Sequence, residues 1–352
     1  MKRSHTQTAE VSSSVDLLAL AEYVDQFSSK TVAVLGDFVA DEFQFGEISR
    51  VSREAPVLIL RHRETHLVPG GGANAANNLA ALGARVLPIT AVGLDHAGDA
   101  LIAYFKEKRM DVSGILRVKG HTTPTKTRFL AGWAHTVGQQ VLRVDREPQA
   151  PLPPATHRRI EQLLSGKLRS AHALAVSDYG FGIATPELVR RVTSKRKSLL
   201  VTLDARYALA SYAKSGVTSA TPNEAELETL HHTAIGQNLE ELTRCGRATL
   251  SAMKLQALLV TRGRDGMALF ESPARLTHIP IHGCNQAVDV TGAGDTVLAA
   301  YTLALASGAS PLEAAHIANF AGGLVVMKRG TATVSRTELL DAIRSEASGA
   351  GS

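Results

Sequence analysis

Apolar and polar positions along this chain switch between two periods. Short apolar runs closed by Gly or Asp predict buried strands over 31–37, 85–92, 173–178, 199–204, 257–262 and 267–271. Elsewhere apolar residues recur at helical spacing and predict helices over 74–82, 97–108, 155–168, 186–195, 224–231, 239–253, 294–307 and 311–327. This alternation predicts an α/β fold: a doubly wound, mostly parallel sheet with helices on both faces. Four extended segments depart from it. Residues 43–51 and 56–68, and again 125–131 and 139–145, follow each other without helices of their own. Such added strands predict a small β-sheet that covers the site as a lid, drawn from 43–68 and 125–145. Residues 148–154 form a proline-rich break, and no internal repeat is visible.

Composition narrows the picture. The chain has 352 residues, 44% of them apolar, enough for one large core. The net charge of +5 is small for that length and the basic residues are dispersed. Lys195-Arg196-Lys197, the densest run, reads as the solvated end of a helix, so no nucleic-acid partner is expected. No stretch reaches the roughly 20 apolar residues of a membrane helix, and no membrane partner is expected. Cys245 and Cys284 lack metal-ligand spacing, so a disulfide framework is not expected and a cytoplasmic location is. Residues 1–14 are polar and 15–27 read as a short amphipathic helix, which makes 1–30 an N-terminal extension, partly disordered.

The chemistry concentrates at predicted strand ends and helix starts. Asp289-Val-Thr-Gly-Ala-Gly-Asp295 leads into the apolar pattern Val297, Tyr301, Ala304. Gly292, Ala293 and Gly294 can present successive N–H groups at a helix N-terminus, which is an anion site. Asp295 beside that site is suited to accept a proton from a hydroxyl that attacks phosphorus, or else to cap the helix. Gly70, Gly71, Gly72 and Asn74 open another helix, either as a turn with an Asn cap or as a close approach to a hydroxyl-rich ligand. Asp37 and Asp41 can bind sugar hydroxyls, hold a metal or cap a turn. Asn223, Glu224, Ala225 and Glu226 contain a capping-box pattern; the functional reading sets Asn223 near phosphates and Glu226 near a hydrated Mg²⁺. Thr261, Gly263 and Gly266 belong to a hairpin turn, a nucleotide-contacting loop, or both. Lys126, Arg128 and Arg143 lie on the expected lid strands and supply positive charge for a phosphorylated substrate. The P-loop, protein-kinase, dinucleotide and zinc-protease patterns are absent.

With these residues in view, the chain resembles the ribokinase-like, PfkB-type carbohydrate kinases over about residues 31–345, which then form one kinase domain. Two matches carry the resemblance, the early glycine stretch Gly70–Asn74 and the late Asp289–Asp295. Within the family it most resembles the D-glycero-β-D-manno-heptose 7-phosphate kinases. The signs are Gly36-Asp-Phe-Val-Ala-Asp41, Ser52-Arg-Glu-Ala-Pro-Val57, Thr125-Lys-Thr-Arg128, Gln139–Asp145, Thr221–Glu226 and Lys328–Val334. The resemblance implies ATP and Mg²⁺ as cofactors and a sugar or sugar phosphate as substrate. By position it implies Asp295 as catalytic base, 292–294 as anion hole, Asn223 through Glu226 for nucleotide and Mg²⁺, Asp41 for sugar hydroxyls, and Asn319 near the adenine. Many of these kinases are fused to a nucleotidyltransferase; the chain ends too early for one, so the stand-alone form is expected, and the exposed edge of the lid sheet predicts a homodimer paired through the lid. Two departures stand out. Heptose kinases carry a lysine two residues after the Asp-Tyr pair, where this chain has Phe181, and Asp-Pro-Lys-Gly where it has Asp204-Ala-Arg-Tyr207. A kinase for another sugar, or a sensor of sugars and nucleotides without catalysis, are the alternatives.

Overall fold

A computed structural model describes residues 15–132, 139–272, 275–283 and 287–349. The strands are β1 Thr31–Gly36, β2 Phe38–Val51, β3 Leu58–Gly71, β4 Arg85–Gly93, β5 Ile115–Val118, β6 Thr125–Gly132 and β7 Gln139–Arg146. They continue with β8 Ala173–Asp178, β9 Leu200–Ala205, β10 Ser219–Ala220, β11 Ala257–Thr261, β12 Met267–Ser272 and β13 Arg275–Ile279. The helices are α1 Leu17–Asp25, α2 Gly72–Ala81, α3 His96–Glu107, α4 Pro154–Lys167 and α5 Pro186–Ser194. Then come α6 Glu224–His231, α7 Leu239–Met253, α8 Ala293–Ala306, α9 Pro311–Val325 and α10 Arg336–Gly349.

Nine strands form one sheet in the order β13-β12-β11-β10-β9-β8-β1-β4-β5. All its pairings are parallel except β11–β12 and β12–β13. Alternation along β1 sends Val32 and Val34 into one apolar layer and Ala33 and Leu35 into the other. The first layer receives α1, α2, α3, α8, α9 and α10, the second α4 to α7. From β1 the chain crosses to β4 on one side, while β8 flanks β1 on the other. Strand order therefore reverses at β1, and the crevice beyond its carboxyl end is where an open α/β sheet binds ligands.

Four strands, β3-β2-β6-β7, form the smaller sheet expected from the sequence. Its first strand begins at Phe38, five residues earlier than the polar–apolar alternation indicated, so the lid runs out of β1 with only Asp37 between them. Residues 133–138, within the span given to the lid, lie outside the described residues, as do residues 1–14 and Cys284.

The N-terminal assignment needs correction. Leu20, Val24 and Phe27 are fully buried and α1 packs against α10, so 15–30 belong to the domain rather than to an extension. Among the described residues no helix is long and apolar enough to cross a membrane.

Candidate active site

Helix α8 starts at the mouth of the crevice. Gly292 is its N-cap with φ +77°, a conformation that glycine adopts without a Cβ penalty. A methyl group there would also fall 2.5 Å from Asn74 Nδ2. The Ala293 N–H is spent on the Val290 carbonyl (3.2 Å). Among the described residues the N–H groups of Gly292 and Gly294 have no such acceptor, and they, rather than Ala293, offer donors to an anion.

Asp295 stands in the first turn of α8, 3% exposed. Asn74 Nδ2 donates to its Oδ2 (2.8 Å) and the Tyr179 hydroxyl to its Oδ1 (3.2 Å). Burial pushes its carboxyl up to about 7, against these two bonds and the nearby Lys126 charge; Asp41 adds to the rise. A carboxylate poised there accepts a proton near neutral pH. Asn74 neither caps α2, whose N-cap is Gly71, nor faces solvent. It is buried and also accepts from Asn78 Nδ2 (3.1 Å).

Glycines 70–72 bring backbones together. The Gly72 N–H bonds to the Asp37 carbonyl (3.0 Å), and a Cβ at Gly72 would press on Gly36. A Cβ at Gly70 would collide with the Asp41 carboxylate. Asp41 is buried and pairs with Arg128 Nη1 at 2.6 Å. Asp37 has another occupation than the sugar contact the sequence suggested. Its Oδ2 accepts from the N–H groups of Tyr179 (2.9 Å) and Phe181 (3.0 Å), its Oδ1 from Ile183 (3.0 Å). Burial still raises its pKa to about 6. Asp37 thus closes the loop after β8, the turn-capping role.

Cations gather across from Asp295. Lys126 Nζ lies 5.1 Å from the centre of the Tyr179 ring and Arg206 Cζ lies 5.8 Å from it. Arg143 pairs with Asp145 (2.7 Å). Lys126 has no carboxylate within ion-pair distance among the described residues, and burial lowers its pKa.

On the other side of α8, a cleft of about 180 Å³ is lined by Thr261, Gly263, Gly266, Val297, Asn319 and Gly323. Gly263 and Gly266 take positive φ in the turn joining β11 to β12, so the hairpin and cleft-lining readings hold together. Asn319 Nδ2 donates to the Pro280 carbonyl (2.7 Å), which fixes α9 to the cleft rim. Asn223 and Glu226 form the complete capping box of α6. Glu224 pairs with the buried Arg262 (2.6 Å), and Ala225 is exposed on the first turn. Glu226 and Asp204 are both raised in pKa by burial first, Asp204 further by Glu226 and Asp295. Among the described residues no three metal-ligating side chains converge.

The sequence reading gave Tyr179 no role, although its hydroxyl donates to Asp295. The available signal for Tyr179 was its position directly after a buried strand that ends in Asp178.

Solved structures share this fold. Ribokinase from Arabidopsis thaliana, complexed with ribose and ATP, superposes with a TM-score of 0.68 at 21% identity, covering 90% of this chain and 98% of that one. Phosphofructokinase-2 from Escherichia coli, in complex with fructose-6-phosphate, gives 0.69 at 19% identity over 90% and 98%. The architecture is thus the ribokinase-like fold. Residues 29–338 match the pfkB family of carbohydrate kinases, and the chain belongs to that family. Among curated relatives, the bifunctional protein HldE of Geobacter sulfurreducens is 38% identical over 313 residues, 88% of this chain and 62% of its own length. HldE of Mesorhizobium japonicum is 37% identical over 326 residues, 91% and 63%. The chain spans a little over three-fifths of the length of these relatives.

Proposed function

We propose that this carbohydrate kinase transfers the γ-phosphoryl group of ATP to a sugar phosphate, with D-glycero-β-D-manno-heptose 7-phosphate as acceptor and its anomeric hydroxyl as nucleophile. One observation carries the reading: a buried, doubly hydrogen-bonded carboxylate at a helix N-terminus lies between an apolar cleft and a cluster of lid cations. The cleft suits a flat base beside α9. The N–H groups of Gly292 and Gly294 face the charge that develops on the moving phosphoryl group. Asp295 takes the proton of the attacking hydroxyl, and Asp41 and the Gly70–Gly72 backbone hold neighbouring hydroxyls. Lys126, with Arg128, Arg143 and Arg206 around it, receives the substrate phosphate. Arg206 stands where the heptose kinases carry lysine.

The donor set fits a magnesium ion that keeps most of its water and binds chiefly to phosphates, with Glu226 reached through water. The ion would offset phosphate charge. The enzyme works in the cytoplasm and pairs as a homodimer through the lid.

The test is a panel of sugars and sugar phosphates read by ADP release, in the wild type, Asp295→Asn and Lys126→Ala. Asp295→Asn should retain ATP binding and lose roughly two to four decades of turnover. Lys126→Ala should raise KM for the sugar phosphate by roughly one to two decades and leave KM for ATP alone. Equal use of phosphorylated and free sugars by the wild type would replace this reading with a free-sugar kinase. No turnover with any acceptor would favour a sensor.

A further inference from the structure

We propose that the Tyr179 hydroxyl is the positioning group for Asp295, holding the carboxylate so that it meets the acceptor hydroxyl in its ionised form. The proposal rests on Asp295 being the base.

The carboxylate is held at both oxygens, Oδ2 by the Asn74 amide and Oδ1 by the Tyr179 phenol. Each carboxylate oxygen has a second acceptor site, so the substrate hydroxyl can bind without displacing either donor. Two donors to the charged form also oppose the burial that would otherwise keep the acid neutral. Asn74 is locked inside α2 by Asn78. Tyr179 is locked differently. Its backbone N–H is bound by Asp37, its ring packs beside Gly71, and its face carries Lys126 and Arg206. A Cβ on Gly71 would come within 3.3 Å of that ring. Tyr179 therefore touches both the base, through its hydroxyl, and the cations of the acceptor side, through its ring. An anion drawn to Lys126 and Arg206 would settle against the ring that orients the base.

The other charges facing Asp295 are Asp41 from β2, Lys126 from β6 and Asp204 from the end of β9; Arg206 acts on Tyr179 and Asp204. Replacing the phenol by a phenyl ring leaves all of them in place. Turnover needs ionised Asp295, so kcat/KM falls as pH drops below the pKa of Asp295, and losing a donor to the charged form moves that limb to higher pH.

The experiment measures kcat and KM against pH for the wild type, Tyr179→Phe and Tyr179→Leu. For Tyr179→Phe the acid limb of kcat/KM should move up by about one pH unit, with a roughly tenfold loss near pH 6 that shrinks above pH 8 and an unchanged KM for ATP. Site-specific replacement of Tyr179 by 3-fluorotyrosine, a stronger donor, should move the limb down, and it preserves the fold should the phenyl variant fail to assemble. Coincident acid limbs in wild type, Tyr179→Phe and the fluorotyrosine protein overturn the proposal. A loss confined to Tyr179→Leu overturns it too, since ring packing alone would then matter. A wild type inactive on every acceptor refutes the proposed function instead. In that case the Asp295 carboxyl resonance, titrated in the free protein with and without the phenol, decides the positioning role by the same shift.

Discussion

Single side chains in this crevice divide into those that hold the reactants and those that hold the holders. Asp37 is of the second kind. Its two oxygens take three backbone N–H groups of the loop that carries Tyr179. Asp37→Asn would set an amide donor against at least one of those N–H groups. It should lower stability by about 1–3 kcal/mol in a denaturation curve, the cost of unsatisfied buried donors. A variant as stable as the wild type would mean that the loop is held by something else. The sequence showed that an acid ended the first strand, not which partners it would find. Those partners lie more than 140 positions away, brought near by the β1–β8 pairing. Asp295 was legible because its neighbours are glycines in a short motif. Tyr179 was less so: its position after a buried strand ending in Asp178 marked the crevice, but only the fold sets its hydroxyl against Asp295.

At the level of elements, the strands and helices that bury one clear face were readable. β1, β8 and β11 are nearly continuous apolar runs, and α7 begins and ends where its pattern does. The missed elements have physical reasons. β10 has two residues, and β13 is an edge strand held by β12 alone. α10 is polar along most of its length and buries only Leu339, Leu340 and Ile343. The turn from the 289–292 segment into α8 depends on the left-handed φ of Gly292. Gly292→Ala would strain that turn and push on the Asn74 amide that holds Asp295. Turnover should fall at least tenfold while the melting temperature drops by only a few degrees. Unchanged kcat would show that the start of α8 tolerates the methyl group and that its geometry is not critical.

At the scale of the molecule, the small sheet exposes several apolar side chains: Val51, Leu58, Val141, Leu142 and Val144 are each more than 40% exposed. A second copy is the occupant that symmetry most readily supplies. Leu142→Asp should therefore convert a dimer to a monomer in sedimentation, and monomeric wild-type protein at micromolar concentration would contradict the pairing. The seam between α1 and α10 bears on how the chain acquires its fold. Arg336 reaches the Asp25 carbonyl across 311 positions, and Arg344 pairs with the Asp25 carboxylate. During synthesis, then, the first helix emerges long before the helix that covers it. Leu20 and Val24 must wait, without the cover of α10, until residues 336–344 have been made. That layer of the core is thus sealed only once α10 has been made, which makes a nascent chain stalled before residue 336 a client for chaperones rather than a folded kinase domain.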